Sequence, residues 1–212
     1  MTNVDTPLTN ADFSQRSAQA TTNDQFRLRW SPRSMTGQAL TLAQVQSLCE
    51  AGRWAPSCFN SQPWRFIYAL PDTPQWQPLL DLLMDVNKLW AAKAGALVAL
   101  VARTHFEAND APAATHSFDT GSAWMSMALQ AQHMGLAAHA MWGFHHDQAA
   151  DALKLPEYFS TQALIAFGHP APAEALPDPL REREVPSPRK ALSELMFNGA
   201  LGQRCAAAGG AR

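Results

Sequence analysis

The sequence predicts an α+β or three-layer α/β domain that is mainly helical and contains a small sheet. Among its 212 residues isoleucine occurs twice and valine six times, whereas alanine is abundant, and this composition favours helices over strands. Four short runs nevertheless have strand character, and helical patterns separate them. The predicted strands are residues 65–70, 96–102, 137–142 and 163–168.

The helices between these strands follow from capping and periodicity. Thr41 and Gln44 form a capping-box pattern ahead of a helix that runs to about Trp54. Residues 123–131 are apolar on nearly every side, so their helix must be covered all round, either by its own chain or by a partner. Residues 170–188 are rich in proline and are predicted to form an extended connector. Further helices are predicted at 76–83, 87–93, 115–134, 147–153 and 189–197.

One main domain is expected at residues 25–203, a length that buries a core without disulfides. The polar residues 1–24 are expected to form a flexible arm, and residues 204–212 a disordered tail. The first residues lack the apolar stretch of a secretory signal, and the most apolar internal run, 94–102, is too short to span a bilayer. Three cysteines are an odd and sparse set, which disfavours a disulfide framework and favours a reducing cytoplasm.

Several classes of function lack support. A formal net charge of -2 excludes a strongly basic nucleic-acid binder. The sequence contains no GxSxG, Walker or GxGxxG pattern, so hydrolase, P-loop and Rossmann functions are not indicated. His139, His145 and His146 lie close to Asp147, but their spacing fits no zinc pattern. Structural or surface histidines are the simpler interpretation, and no metal site is predicted.

The densest polar motif lies at residues 55–64, where two prolines fix φ and end the preceding helix. Ser57, Asn60 and Gln62 then place hydroxyl and amide groups on a rigid loop at a helix-to-strand junction. Such a loop can hydrogen-bond the edge of a planar heterocycle. The same residues also fit a capped turn that satisfies only its own backbone.

Two basic segments are candidate anion sites. Residues 27–34 contain three arginines and two serines, which suit a phosphate, although a solvated basic face explains this segment more simply. Arg189 begins the last predicted helix, and a helix N-terminus favours an anion. Plain surface charge is again the simpler interpretation of Arg189 alone.

Taken in order, these segments resemble the FMN-dependent nitroreductase family over roughly residues 26–200. The most specific block is Pro56-Ser57 followed by Asn60 and Gln62 and then by Pro63-Trp64. The remaining pieces are weak singly and gain from their order. They are residues 29–33, 87–90, 119–121 and 135–136, together with Gly168 and Arg189.

The resemblance implies a three-layer α+β fold, with a small mixed β-sheet flanked by helices, in an intertwined homodimer with two interfacial FMN sites. It implies that NAD(P)H reduces FMN by hydride transfer in a ping-pong cycle. Nitroaromatic, quinone-like or related small organic molecules would be the electron acceptors. The alternatives are a flavin oxidase or dehalogenase, and a flavin-binding or partner-binding protein without turnover. A cytoplasmic protein without nucleic-acid or membrane partners is expected.

The resemblance assigns cofactor contacts to four segments and names no catalytic residue. It places four residues around the FMN phosphate and ribityl chain: Arg29, Trp30, Ser31 and Arg33. A loop of the partner subunit would face the isoalloxazine ring and ribityl chain with Pro56, Ser57, Cys58 and Asn60, and the same loop carries Gln62. The segment Ala140, Met141 and Trp142 would lie along the flavin, and Arg189 would contact the phosphate. The sequence departs from common family residues at three of these positions, Trp30, Ala140 and Trp142.

Overall fold

A computed structural model describes residues 9 and 11–203 of the chain. Its centre is a four-stranded sheet with the order β1–β2–β4–β3. All four predicted strands are confirmed, with bounds that differ from the predicted ones by a few residues. They are β1 (Trp64–Ala69), β2 (Ala96–Arg103), β3 (Ala137–Met141) and β4 (Phe159–Gly168).

The described sheet is antiparallel throughout, so the expectation of a mixed sheet is wrong in this respect. That expectation came from the resemblance, because apolar runs in a sequence predict where strands lie but not in which direction they run. The rest of the predicted fold class, an α+β arrangement in three layers, is confirmed. Seven described α-helices accompany the strands. They are α1 (Asp24–Leu28), α2 (Leu42–Arg53), α3 (Trp76–Asp81), α4 (Asp85–Ala91), α5 (His116–His133), α6 (His146–Ala152) and α7 (Asp178–Arg181).

The sheet separates two hydrophobic clusters, one on each face. Leu83, Trp90 and Phe144 are buried in the cluster on one face. Leu48 and Met127 are buried in the cluster on the other. Strand β2 lies between the two layers and is buried along almost its whole length, which explains its continuous apolar sequence.

Helix α2 begins with the predicted capping box. The Thr41 hydroxyl accepts the Gln44 amide N–H at 3.2 Å, and the Gln44 side-chain oxygen accepts the Thr41 N–H at 2.9 Å. At its other end, Gly52 lets α2 approach α5 and β1 closely. A Cβ at this position would lie 2.9 Å from Met127 Cγ and 2.9 Å from Phe66 Cζ. The absence of a side chain at Gly52 is therefore part of the packing.

Helix α5 is buried on one side by its own chain. Ala123, Met127 and Ala131 have no exposed surface. Phe118, in the first turns of the same helix, is 79% exposed. The chain therefore covers one face of this apolar helix and leaves part of another face open, and the predicted homodimer stays a prediction.

Two predictions in the C-terminal third are wrong. Residues 189–197 do not form a regular α-helix but an extended segment and a 3-10 turn at Leu192–Glu194. Most residues of this stretch are exposed, and so short a helix is not stable in water without packing against the rest of the chain. The connector 170–188 is not extended throughout, since it contains α7, whose first turn includes Pro179. Proline is tolerated there because the first amides of a helix need no intrahelical partner.

Helix α1 was not predicted. Its N-cap is Asn23, whose side chain accepts the Gln25 amide N–H at 2.9 Å. The division into an arm, a domain and a tail stays a prediction. Residues 1–8 and 10 of the arm and the predicted tail at 204–212 lie outside the described residues.

We expect Gly52→Ala to lower the free energy of unfolding by about 1–3 kcal/mol, because the new methyl group overpacks the junction of α2 with α5 and β1. The matched control is Gly121→Ala on α5, where an added Cβ has no neighbour within 4 Å. There the higher helix propensity of alanine should stabilise by about 0.5–1 kcal/mol. Urea unfolding measures both changes, and equal effects at the two positions would contradict the packing described.

Candidate functional site

A cavity of about 490 Å³ lies beside the edge strand β3. Its walls come from the N-terminal arm, the segment that follows α1, β3 and the segment that follows α7. We call it the arginine pocket, because five of the described residues that line it are arginines. They are Arg16, Arg29, Arg33, Arg183 and Arg189.

The backbone on one side of the pocket is held by a buried carboxylate. Glu184 is only 7% exposed, and its Oε1 accepts the N–H groups of Arg33 at 2.7 Å and Ser34 at 2.9 Å. The Ser34 hydroxyl in turn donates to the Pro172 carbonyl at 2.6 Å. The predicted phosphate-binding segment is therefore fixed by residues more than a hundred positions away in the sequence.

The charges around the pocket are unevenly compensated. Arg33 Nη1 lies 3.7 Å from the second oxygen of Glu184. Arg29 donates to the Ser31 hydroxyl at 3.3 Å, and no described carboxylate lies within ion-pair distance of it. Burial, and then the neighbouring Arg189, lower the pKa of Arg29. A partly buried cation without a counter-ion favours the binding of an anion, so this segment is not the solvated basic face that its sequence also fits.

Trp30 and His139 complete the wall of the pocket. Trp30 is 5% exposed, and its indole Nε1 is buried without a hydrogen-bond partner among the described residues. His139 Nδ1 lies 3.3 Å from the Pro32 carbonyl, so this nitrogen donates. Burial, and then the charge of Arg33, lower the pKa of His139 to about 4, and the ring is neutral at pH 7. The sequence analysis weighed a metal ligand against a structural or surface histidine at His139 and preferred the latter, but it missed the place of this residue in the pocket wall.

The second predicted group of residues lies on a different part of the surface. We call residues 57–62 the amide loop. Phe59, Asn60 and Gln62 adopt left-handed backbone conformations with φ of 51°, 53° and 46°. These conformations are uncommon outside glycine and persist only where the surroundings hold them. One tie is internal to the loop, because the Ser57 hydroxyl accepts the Gln62 N–H at 3.0 Å.

A second tie comes from α5. Asp119 is 4% exposed, and its Oδ2 accepts the Cys58 N–H at 3.2 Å and the Thr115 hydroxyl at 3.0 Å. Asp119 belongs to residues 119–121, one of the segments that support the family resemblance only weakly, and the sequence analysis assigned it no role. The only sequence signal was a carboxylate near the start of the longest predicted helix. Asp119 is thus a positioning residue for the amide loop.

The amide loop and the arginine pocket lie at diagonally opposite corners of the sheet. The loop leads into Trp64, the first residue of the edge strand β1, whereas His139 lies on β3 at the other edge. Across the sheet His139 is level with Ala69, at the far end of β1. The separation is three strand spacings, roughly 14 Å, by five residues, roughly 17 Å.

The structure therefore gathers the predicted cofactor residues into two separate groups. One group lines the arginine pocket and consists of Arg29, Trp30, Ser31, Arg33 and Arg189. The other lies on or directly before the amide loop and consists of Pro56, Ser57, Cys58, Asn60 and Gln62.

The three predicted residues of β3 and its end do not share one face. The Met141 side chain is buried in one hydrophobic cluster, whereas Ala140 packs against the other. Trp142 is 70% exposed, and its ring lies 4.3 Å from that of His146 and 6.1 Å from that of Phe144. Of the three side chains, Trp142 is the most exposed to solvent.

Within residues 9 and 11–203, no group of three or more histidine, cysteine or acidic side chains lies close enough together to hold a metal ion. His146 Nε2 lies 3.0 Å from the Trp142 carbonyl. None of the described helices has both the length and the apolar character that crossing a membrane requires.

Comparisons with known proteins agree with this fold. The model of the Nitroreductase family matches residues 27–85 and 70–169. A solved structure described as an oxidoreductase containing FMN is 38% identical, with a TM-score of 0.86 over 89% of this chain and 97% of that chain. A putative nitroreductase from Desulfovibrio desulfuricans in complex with FMN is 27% identical, with a TM-score of 0.65 over 83% and 95%.

A putative NADH dehydrogenase/NAD(P)H nitroreductase from Parabacteroides distasonis is 20% identical, with a TM-score of 0.63 over 81% of this chain and 94% of that chain. At that identity it shows a common fold alone. No curated protein matches the chain.

We expect Asp119→Ala to lower the free energy of unfolding by about 1.5–3 kcal/mol, because two donors lose a charged acceptor. Asp119→Asn keeps an acceptor oxygen and should recover part of this loss. Urea unfolding measures stability, and amide exchange of residues 57–62 measures the loosening of the loop. An unchanged exchange rate in Asp119→Ala would contradict the positioning role.

We expect the free energy of unfolding of the ligand-free protein to fall as the pH drops from about 6.5 to about 4. In this interval the unfolded state binds a proton at His139 and the folded state does not, so stability is present above the interval and lost through it. The loss from this group is about 2 kcal/mol, allowing for the partial exposure of the ring. Urea unfolding at several pH values measures it.

His139→Asn is the matched comparison, because its amide nitrogen replaces Nδ1 toward the Pro32 carbonyl and does not titrate. The pH dependence should be smaller in His139→Asn than in the wild type by the stated amount. Identical curves would show that the ring is not the neutral wall residue described.

Proposed function

Since the chain belongs to the nitroreductase family, we propose that it is an FMN-dependent oxidoreductase that uses NAD(P)H to reduce small organic acceptors. The arginine pocket is the observation on which this proposal rests, because it offers uncompensated cations to a phosphate. The relative described as an oxidoreductase containing FMN, with 38% identity over 89% of this chain, supports the same cofactor.

The residues of the pocket fit the phosphate end of FMN. Arg29 lacks a carboxylate partner among the described residues, and the exposed Arg189 donates only to the Ser187 and Pro188 carbonyls. Arginine forks suit phosphate oxygens, and the orphaned indole N–H of Trp30 adds an unused donor to the wall. The cavity of about 490 Å³ lies within the usual range for small-ligand sites.

FMN bound here would supply two-electron transfer between a nicotinamide and an organic acceptor. In this proposal the chain itself binds and orients. Arg29 and Ser31 hold the phosphate end, and the exposed amides of Asn60 and Gln62 bond the edge of the flavin ring. The Asn60 side chain has no hydrogen bond among the described residues. The Gln62 side-chain N–H donates to the Asn60 carbonyl at 3.2 Å, which leaves its oxygen as an acceptor for a ligand. We assign no protein group as an obligatory proton donor.

A homodimer is part of the proposal, because the amide loop and the arginine pocket of one chain lie at opposite corners of its sheet. A second copy related by two-fold symmetry brings its own amide loop to the pocket of the first. The exposed Phe118 on α5 supports an apolar contact between copies. Among the described residues, Cys49 and Cys58 are free cysteines, which is compatible with the expected cytoplasmic location.

Nitroaromatic and quinone-like molecules are the proposed acceptors, and the exposed ring of Trp142 offers them a surface for stacking. Two alternatives remain on the same scaffold: a flavin oxidase or dehalogenase, and a flavin-binding or partner-binding protein without turnover.

Anaerobic addition of NADH or NADPH to the FMN-loaded protein should bleach the visible flavin absorbance, and a nitroaromatic or quinone should restore it. This experiment also separates the alternatives. Protein that stays yellow with both nicotinamides favours a binding protein. Reoxidation by oxygen alone favours an oxidase. Protein that takes up no FMN would overturn the proposed function.

We expect Arg29→Ala to weaken FMN binding by roughly tenfold or more, since a charge-assisted bond to phosphate contributes on the order of 1.5–3 kcal/mol. Arg33→Ala should weaken it less, because Glu184 already compensates Arg33. Quenching of FMN fluorescence measures the dissociation constants.

Arg181→Ala is the matched control for Arg29→Ala, because Arg181 pairs with Asp178 at 3.0 Å and does not line the pocket. Its affinity for FMN should equal that of the wild type. A folded Arg29→Ala, Arg33→Ala double variant with unchanged affinity would refute the phosphate site.

A further inference from the structure

One arginine of the pocket comes from the N-terminal arm, which neither the family model nor the predicted site includes. Arg16 is 8% exposed and is the one buried residue between positions 11 and 20. Its Nε donates to the Ser187 carbonyl at 2.8 Å, and its Nη1 donates to the carbonyls of Arg27 at 2.7 Å and Arg29 at 2.9 Å. A single side chain thus joins three segments of the chain at the wall of the pocket.

The charge of Arg16 has no counter-ion in the part of the chain that the structure describes. Its three acceptors are neutral carbonyls, and no described carboxylate lies within ion-pair distance. Burial is the largest cause that lowers the pKa of Arg16, to about 10, and the charges of Arg189, Arg29 and Arg27 add to it. A buried cation among other cations is unfavourable until an anion approaches.

Among residues 11–22, one other side chain forms a hydrogen bond with this region: the side chain of Gln19 accepts the Leu192 N–H at 2.7 Å. The Arg16 guanidinium also lies 5.9 Å from the centre of the Phe13 ring within the arm itself. Most other residues of the described arm are exposed. Of the four hydrogen bonds that join residues 11–22 to the described residues after them, three come from Arg16.

We propose that residues 11–23 of the N-terminal arm act as a clasp over the arginine pocket, and that Arg16 couples their docking to the binding of a phosphate-bearing ligand. An anion beside Arg29 and Arg189 removes the repulsion that opposes the buried Arg16, so occupancy of the pocket stabilises the docked arm. Because coupling between two sites is reciprocal, the docked arm must also strengthen the binding of the anion. Arg16 is a positioning residue here, since its bonds go to the backbone around the pocket.

The identity of the ligand as FMN rests on the proposed function. The coupling between an anion in the pocket and the arm does not. The ligand-free full chain is therefore compared with and without FMN, and separately with and without inorganic phosphate. Hydrogen exchange of residues 11–23 reports the docking of the arm, and the rate at which FMN fluorescence reappears on dilution reports its release. Hydrogen exchange does not require the protein to turn over a substrate, so it reports docking independently of activity.

In the wild type, either ligand should slow exchange in the arm by about fivefold or more, the lower end of typical coupling between two sites. Arg16→Ala should remove this ligand dependence and speed the release of FMN by about the same factor. Arg16→Lys keeps the charge but lacks the planar fork, so it should restore only part of the effect.

The matched control is Arg27→Ala, which removes the same charge from the same neighbourhood. The Arg27 side chain pairs with Asp24 at 2.9 Å and does not line the pocket, so its removal should leave the ligand dependence in place. An equal effect of Arg27→Ala and Arg16→Ala would overturn the clasp, because net charge alone would then explain the result.

If hydrogen exchange of residues 11–23 is the same with and without ligand, the proposal is also overturned. This measurement uses the wild type, so it tests the proposal even if Arg16→Ala fails to fold. Failure of the proposed function looks different. In that case FMN does not bind, while inorganic phosphate still slows exchange in the arm.

Discussion

The buried carboxylate of Glu184 is the interaction on which the arrangement of the candidate site depends. It accepts two successive backbone N–H groups, those of Arg33 and Ser34, and it lies close to the Arg33 guanidinium. By fixing the backbone it directs the preceding residues, Arg29 and Trp30, toward the pocket. Glu184 pairs with Arg33 alone, and Asp12, the carboxylate that also lines the pocket, forms an ion pair with none of the five described arginines there. The same group that shapes the pocket therefore leaves it with an excess of positive charge, which suits a phosphate.

Two further constraints bear on function from opposite edges of the sheet. At the β3 edge, the neutral His139 bonds the Pro32 carbonyl and so supports the arginine segment without adding another cation. At the β1 edge, Asp119 and Ser57 hold a loop with an unfavourable backbone. These two surfaces are far apart in one chain, so a single copy cannot apply both to the same ligand. The proposed activity therefore requires the proposed homodimer.

The sequence could predict the features that depend on neighbours along the chain. The four strands were found as short apolar runs, two of which contain the isoleucines, and α2 was found because Thr41 and Gln44 form a local capping pattern. The last predicted helix failed because residues 189–197 are mostly exposed, and a short helix needs a buried face that the local sequence does not reveal. Strand direction in the sheet was not predictable from the runs themselves.

The site was only partly predictable, for a related reason. The arginine segment and the amide loop were visible as local motifs, and the resemblance supplied a reason to connect them. The contacts that give them shape span long stretches of sequence, such as the bonds from Glu184 to Arg33 and from Asp119 to Cys58. Arg16 lay in a segment whose polar composition indicates only a flexible arm, and no local pattern shows that one of its side chains is buried.

The amide loop has its backbone held by side chains other than that of Phe59, which is exposed to solvent. Its left-handed residues are held from outside by Asp119 and Ser57, whereas the ring of Phe59 is 90% exposed and contacts only the edge of Phe106 among the aromatic residues. Replacement of Phe59 leaves those ties in place, and glycine or asparagine even suits its backbone conformation better. Under the proposed function, in which the amide loop of a second copy faces the flavin, position 59 is one at which variation can alter substrate preference while the fold is conserved, and it is a natural choice for a directed-evolution library.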